Sequence, residues 1–432
     1  MSTLPDPSAF VERFTLFLGF DWASDHHDVV AVDATGRIRL DRSIDDTAEG
    51  WSQLRRHLLE LAPADAGQVA VAVAVAVETC NGPAVDRLLE MGCAVYPLNP
   101  NAAKQYRSRK SPSGAKSDRL DAWSFADALR TDGHGWKRLL PDDALTQELR
   151  LLCRDEVKLI EQRTALVLQL KAALHEYYPA ALEAFDEWVS PNAWAFIERF
   201  PTPEQLVRSG RRRWEKFLHT HPFSRPEHYA RRLEIFARAQ EFCGSAAVRS
   251  AKSRLALALV AQLQVVEKQV RQYRAAIEER FERHPDRDIF GSLPGAGRKI
   301  APRLLGEMGS IRQRFSDAAA LQAYAGTAPL TRESGQRRQV WFRHACNKSL
   351  RAAVQFLADL SRAQCVWAQV YYQRKRDQGA SHAAALRCLG QRWLKILWKM
   401  WQTRTVYDEA FHIRNQTQHG SWVVSLNQEA AC

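Results

Sequence analysis

The sequence predicts an α/β domain at the front of the chain, followed by an all-α remainder whose last part is strongly basic. Three observations carry that prediction. Short apolar runs alternate with helix-like segments over residues 15–140, strand signals vanish from residue 142 onward, and the positive charge is concentrated after residue 285. At 432 residues the chain has room for about two to four domains.

Within 15–40, TLFLGFDWASDHHDVVAVDATGRIRL reads as two short apolar strands joined by polar residues and closed by a turn at Thr35-Gly36. WSQLRRHLLELA follows as a helix. QVAVAVAVAVETC, with nine alternating Val and Ala residues, suits a buried strand. AVDRLLEMG is then a helix, CAVYPLNP a strand, and a further helix begins near Asp118. The order β, β, α, β, α, β places an α/β domain over 1–141. Over 142–284, Leu149, Leu152, Leu159, Leu166, Leu170 and Leu174 form one helical series, and Leu255, Leu259, Leu263, Val266, Val270, Tyr273, Ile277 and Phe281 form another. Two long helices are expected, with 179–245 as a shorter helical insertion. The pair reads either as a coiled-coil arm, interrupted at Glu156 and Arg163, or as two packed helices of one bundle. Over 285–405 short helices dominate around a Gly-rich turn at SLPGAGRK, and 406–432 has weak periodicity and is expected to fray.

Composition narrows the class. The hydrophobic fraction is 46% and the charged fraction 25%, as in globular proteins, and no run of about 18 uncharged apolar residues appears. A membrane span is not expected, and MSTLPDPSAFVERF lacks the pattern of a secretion signal, so a cytoplasmic protein is expected. The eight cysteines form no CxxC pair and no Cys/His cluster at zinc-ligand spacing, which argues for reduced thiols and against structural zinc. Residues 285–405 hold 21 Lys and Arg against 7 Asp and Glu, so this segment carries +14 and the rest of the chain about −2. Such a concentration is the electrostatic footprint of a nucleic-acid partner.

Four carboxylates stand out. Asp21 follows the apolar LFLGF and Glu78 ends the Val/Ala strand, so both sit at strand ends, where α/β sites form. Asp118 and Asp121 in KSDRLDA are three apart at a helix start and share one face. Singly, each has an ordinary reading as an N-cap, a first-turn dipole partner or a surface acid. Together they repel, and a divalent cation is the usual remedy; hard oxygen donors favour Mg2+ or Mn2+. Upstream of the pair, KQYRSRKSPSGAK reads as a basic loop whose Lys104, Arg107, Arg109, Lys110 and Lys116 either contact phosphates or are simply solvated.

GFDWASDHHDVVAVDATGRI, VETCNGPAVDRLLEMGCAVYPLNP and KSDRLDA resemble the N-terminal domain of the DEDD transposases of the insertion-sequence one-ten family, bridge-RNA-guided recombinases. LPGAGRKIAPRLLGEMG, FSDAAALQAYAGTAPLTRESGQRR and CNKSLRAAVQFLA resemble that family's C-terminal transposase domain. The resemblance implies a ribonuclease-H fold of the RuvC resolvase type, with Asp21, Glu78, Asp118 and Asp121 as the metal-binding quartet. It further implies that the serine before glycine in TRESG, Ser334, is a nucleophile that becomes linked to a 5′-phosphate of DNA. By the same resemblance the protein works as a tetramer with a guide RNA, its active site assembled from domains of different subunits.

The residues around Ser334 can be read without the resemblance. Arg332, Arg337 and Arg338 flank it and could stabilise charge on a phosphorane-like transition state, while the nearest histidine in sequence, His344, gives a hydrolase triad no support. The plain alternative is a Ser-Gly turn between helices. LPGAGRK resembles a helix-hairpin-helix whose Gly295 and Gly297 amides could hold a phosphate beside Arg298 and Lys299, or it is a tight interhelical turn. Arg343, Lys348 and Arg351 extend the basic set. Trp341, Trp367, Trp393, Trp398 and Trp401 offer either stacking surfaces or, at the 393, 397 and 401 spacing, core. The expectation is therefore a recombinase acting on DNA with Mg2+, a guide RNA and a dimeric to tetrameric assembly. Two other classes stay open: a metal-dependent nuclease with water as nucleophile, and a noncatalytic DNA-binding regulator.

Overall fold

The computed structural model describes residues 7–62, 72–79, 82–110, 117–221, 227–335 and 337–420. The chain divides into two compact units, Met1–Pro141 and Asp142–Cys432. No helix among the described residues is long and apolar enough to cross a membrane.

The first unit is a mixed α/β domain. After α1 (Pro7–Glu12) come three strands where the sequence suggested two: β1 (Leu16–Trp22), β2 (His26–Val32) and β3 (Ile38–Asp45). β3 is an edge strand with only Leu40 and Ile44 buried, so its charged residues mask the alternation that marks a strand. There follow α2 (Ala48–Leu61), β4 (Val73–Val77), α3 (Pro83–Glu90), β5 (Ala94–Pro97), α4 (Pro100–Lys110) and α5 (Asp118–Asp132). The sheet order is β3-β2-β1-β4-β5, with β2 antiparallel to both neighbours and β1, β4 and β5 mutually parallel. The Val/Ala alternation has a steric purpose in β4. Val73, Val75 and Val77 pack with Leu54, Leu58, Val85 and Leu88 of α2 and α3, while Ala74 and Ala76 lie on the face that meets Phe125 and Ala126 of α5. Large side chains fill one layer and small ones admit a close helix in the other. Residues 69–71 of that run lie outside the described residues.

The stretch expected to be a basic loop is helical through Lys110, as α4; Lys116 lies outside the described residues. The helix forms because Asn99 and Pro100 start it and no glycine interrupts 100–110.

The second unit is mostly helical. α6 (Ala144–Tyr177) and α12 (Ala246–Glu282) are the two expected long helices, with α7 (Pro179–Ala184), α8 (Pro191–Arg199), α9 (Pro203–Ser209), α10 (Arg211–Thr220) and α11 (Glu227–Ala237) between them. The long pair is antiparallel, as its ion pairs show. Glu148 meets Arg280 at 3.0 Å, Glu156 meets Arg274 at 2.9 Å, Arg163 meets Glu267 at 2.5 Å, and Glu176 meets Lys252 at 2.7 Å. Glu156 and Arg163, the two apparent interruptions of the seam, are thus the groups that set its register. Leu255, expected in the seam, is exposed.

Around the start of α6 and the end of α12 pack α13 (Arg287–Gly291), α14 (Gly297–Met308), α15 (Ala318–Tyr324), α16 (Lys348–Ser361), α17 (Val366–Asp377) and α18 (His382–Thr403). Trp393, Leu397 and Trp401 are core, as their spacing suggested. Two elements differ from expectation. Two strands, β6 (Leu330–Ser334) and β7 (Arg337–Trp341), pair as an antiparallel hairpin where helices were expected. The segment after 405 includes α19 (Glu409–Gln418), anchored where Trp367 donates to the Tyr407 hydroxyl at 3.0 Å and the His412 ring packs 4.8 Å from Trp367. Residues 421–432 lie outside the described residues.

Glu156 is only 3% exposed and accepts from Arg274 at 2.9 Å and Arg303 at 2.7 Å. Glu156→Ala strands both guanidiniums and is expected to cost about 3–5 kcal/mol. Arg298→Ala, which breaks the exposed pair with Glu278, is expected to cost less than about 1 kcal/mol. Denaturant midpoints of the two variants check the difference.

Candidate metal centre and serine hairpin

The acidic site is built by one close approach. A Cβ placed on Gly19 of β1 would overlap the carbonyl oxygen of Ala122 and lie 2.7 Å from the backbone nitrogen of Ala126, both on α5. Glycine there lets the helix lie directly on the strand. Asp21 is two residues further along β1, on the same face, and the first turn of α5 carries Asp118 and Asp121. Ser117 caps that helix, its hydroxyl accepting from the Leu120 amide at 3.2 Å, so Asp118 is a first-turn residue rather than the N-cap.

The outcome is a cluster of three. Ligand oxygens of Asp21, Asp118 and Asp121 lie within 4.8 Å of one another. Asp121 is 2% exposed and forms an ion pair with Arg107 of α4; Asp118 is exposed. Glu78 is not part of this group. It follows Val77, the last residue of β4, which pairs with Phe20, so the parallel register carries its backbone on beside Asp21 of β1.

A second group escaped the sequence reading. His26, Asp28 and Asp118 also offer ligand atoms within 4.8 Å of one another, sharing Asp118 with the first. Asp28 lies directly opposite Asp21 in the antiparallel β1–β2 pair. The signal was the short ASD connection between the strands, which forces that register. The His26 imidazole is held above its ordinary range by its 2.9 Å hydrogen bond to Asp25 and, more weakly, by the charges of Asp28 and Asp118.

These donors fit a divalent cation. Three crowded carboxylates, one of them buried, supply hard oxygens and an unbalanced negative charge that a bound cation relieves. The basic residues of α4 have partners on α5: besides Arg107 with Asp121, Arg109 approaches Asp132 at 3.9 Å and Lys110 pairs with Asp127 and lies 4.6 Å over the Trp123 ring. Lys104 is exposed.

Ser334 closes β6, and Gly335 follows with φ 57°, in the left-handed region that glycine takes without strain. The turn therefore joins two strands, not two helices. Ser334 pairs with Arg337, Glu333 with Arg338, Arg332 with Gln339, and Leu330 with Trp341. Arg338 forms an exposed ion pair with Glu333 at 3.2 Å. Behind the hairpin, Arg343 donates to the Ala328 carbonyl at 3.3 Å, Arg351 stacks 4.9 Å over Phe342, and exposed Lys348 opens α16. At the Gly-rich turn, the Gly295 amide donates to the Gln364 side chain at 2.7 Å. Gly297 opens α14, Arg298 pairs with Glu278 at 2.8 Å, and Lys299 is exposed.

Comparison with known proteins agrees across both units. Residues 18–179 match the profile of a transposase of the IS110 DEDD type, and residues 287–373 match that of the transposase IS116/IS110/IS902 family. The chain is 35% identical, over 92% of its length and 96% of the relative's, to the mini-circle putative transposase for IS117 of Streptomyces coelicolor. It is 27% identical, over 91% of its length and 96% of the relative's, to the insertion element IS116 uncharacterized 44.8 kDa protein of Streptomyces clavuligerus. It is 29% identical, over 72% and 76%, to the insertion element IS900 uncharacterized 42 kDa protein of Mycobacterium paratuberculosis.

Gly19→Ala is expected to destabilise the first unit by at least about 1–3 kcal/mol, because the obstruction is backbone rather than a mobile side chain. Chemical denaturation measures this, and an unchanged midpoint would contradict the packing described.

Proposed function

The chain belongs to the IS110 family of DEDD transposases, DNA transposases of insertion sequences, and on that premise we propose that it cuts and rejoins DNA through Ser334. The observation that carries this reading is the placement of Ser334 at the tip of an exposed hairpin, paired with Arg337 and close in sequence to Arg332 and Arg338. The Ser334 oxygen attacks a backbone phosphorus, forming a serine–phosphate ester to the 5′ end, and the bond to the 3′ oxygen breaks. The serine proton goes to the departing 3′-hydroxyl. Arg337 and Arg332 offset the negative charge of the pentavalent transition state. Rejoining is the reverse attack by a 3′-hydroxyl on the ester. The phosphodiester bond energy is held in the linkage, so no nucleotide is consumed.

Asp21, Asp118 and Asp121, with Glu78 beside them, would hold Mg2+ or Mn2+. Bound there, the cation supplies Lewis-acid stabilisation of phosphate oxygens. The basic balance of 285–405 supports DNA as substrate and a guide RNA as partner, because specificity delegated to base pairing asks of the protein mainly phosphate contacts. The α6–α12 pair serves as the assembly element of a dimer or tetramer, and the turn at 294–299, its Gly295 amide already given to Gln364, meets phosphate in helix-hairpin-helix fashion through the Gly297 amide and exposed Lys299.

The test incubates the protein with the ends of its element, Mg2+ and RNA transcribed from the element, followed by denaturation. Wild type is expected to give protein-linked DNA. Ser334→Ala and Asp118→Ala are each expected to lower the adduct at least about 100-fold. An adduct that survives Ser334→Ala refutes the nucleophile. Cutting without any adduct, lost in Asp118→Ala, identifies a metal-dependent nuclease instead.

A further inference from the structure

The hairpin that carries Ser334 has two chemically different faces. Residues directly opposite in an antiparallel pair lie on the same side, and sides alternate along each strand. One face therefore holds Ser334, Arg337, Arg332, Gln339, Leu330 and Trp341; the other holds Thr331, Glu333, Arg338 and Val340. On the second face the Arg338 charge is answered by Glu333 at 3.2 Å. The serine face carries two arginines and no carboxylate.

Trp341 belongs to that uncompensated face and is 51% exposed, whereas Trp367 is 3% exposed and Trp393 and Trp401 are fully buried. The buried three have indole N–H partners inside the fold: the Tyr407 hydroxyl, the Ser361 hydroxyl and the Asp286 carboxylate. Trp341 is held differently, by partners on its own ribbon. Its Nε1 donates to the Gln339 side-chain oxygen at 3.2 Å, and the Arg332 guanidinium lies 5.7 Å from its ring centroid. These contacts orient an indole that the core does not cover.

We propose that the serine face binds a single DNA strand, with Trp341 as a platform on which an unpaired base stacks and Arg332 and Arg337 tracking its phosphates. Charge selects a polyanion, and an exposed indole with the Arg332 guanidinium beside it selects one with accessible aromatic faces. Duplex DNA covers its base faces and offers only edges and phosphates to such a ribbon. The spacing gives the platform a place on the strand. Trp341 is four residue steps from the Ser334 pair, about 13 Å along the ribbon. That matches about four nucleotide rises at the per-strand spacing of B-DNA. The stacked base thus lies a few nucleotides from the phosphate that the serine attacks, where strands must part before they are exchanged.

This inference rests on the reading of Ser334 as the nucleophile for its meaning but not for its test. Full-length protein is titrated against a fluorescent single-stranded oligonucleotide and the corresponding duplex over a range of salt, with anisotropy as readout. Trp341→Ala is expected to weaken single-strand binding about 5- to 150-fold, the range for loss of one stacked base. It should leave the salt dependence and duplex affinity unchanged. Trp341→Phe is expected to restore most of the loss. Arg337→Gln is expected to lower the salt slope by about one phosphate contact. Val340→Ala, on the other face, is expected to change nothing. The inference is overturned if Trp341→Ala leaves single-strand affinity unchanged, if it weakens the duplex equally, or if Val340→Ala has the same effect. Unaltered thermal melting of each variant shows that the exposed ribbon was changed without unfolding the protein. If wild type forms the serine adduct while Trp341→Ala binds normally, only the stacking platform fails. If Trp341→Ala loses single-strand binding and no adduct ever forms, the platform stands and the nucleophile fails.

Discussion

A missing methyl group at Gly19 determines where α5 can lie, and the acidic site depends on where α5 lies. Any side chain at that position would collide with the helix backbone at Ala122 and Ala126. The alanines of β4 serve the same approach one strand over, where Ala74 and Ala76 pack with Ala126 and Phe125. The closeness of helix and sheet allows the short side chains of Asp118 and Asp121 to reach Asp21. Aspartate is the shortest carboxylate, so this cluster tolerates little separation between its two supports. Glu78, outside the cluster, is the longer acid and follows the end of β4, the strand that runs beside β1.

In the second unit charge, rather than apolar contact alone, specifies alignment. Leucines along α6 and α12 can slide past one another with modest loss, since hydrophobic burial is not directional. Carboxylate–guanidinium pairs half-buried along the seam, with Glu156 itself buried, resist sliding, because one step of slippage leaves their ions unmatched. Arg163 with Glu267 and Glu156 with Arg274 therefore select one antiparallel register. Arg303 adds α14 to the same node, while Arg154 of α6 reaches Glu307 of α14 at 2.7 Å. The long pair is consequently part of two cores. Leu149, Cys153, Ile277 and Phe281 belong to the basic helical core, and Leu166, Leu170, Leu263 and Val270 to that of the inserted helices.

The sequence was most informative where periodicity and burial coincide. The strands at Leu16–Trp22 and Val73–Val77, both long helices and the tryptophan core of α18 were legible because each buries a regular apolar set. Asp118 and Asp121 could be placed on one face from their spacing alone. The edge strand β3 and the Ser334 hairpin were not legible, since nearly all their side chains face water and leave no alternation to read. His26 and Asp28 were missed for another reason: the short connection fixes their register against β1, but their approach to Asp118 also depends on where α5 lies, which no local pattern encodes. Composition likewise showed that Arg107 and Lys110 are basic but not that Asp121 and Asp127 would hold them.

The chain leaves the basic helical core at the start of α6 and returns to it at the end of α12. Thr146 and His284 meet there at 2.8 Å across 138 positions of sequence. Asp142, joined to Arg150 and Arg314 and accepting from the Ser310 amide at 2.7 Å, pins the same root. Entry and exit are thus side by side, and α7 to α11 are inserted between the two long helices that start and end there. The reach of the long pair can change by removing or adding equal lengths from both helices, with the root left in place. Evolution can therefore adjust the length of this pair without rebuilding the basic helical core at its root.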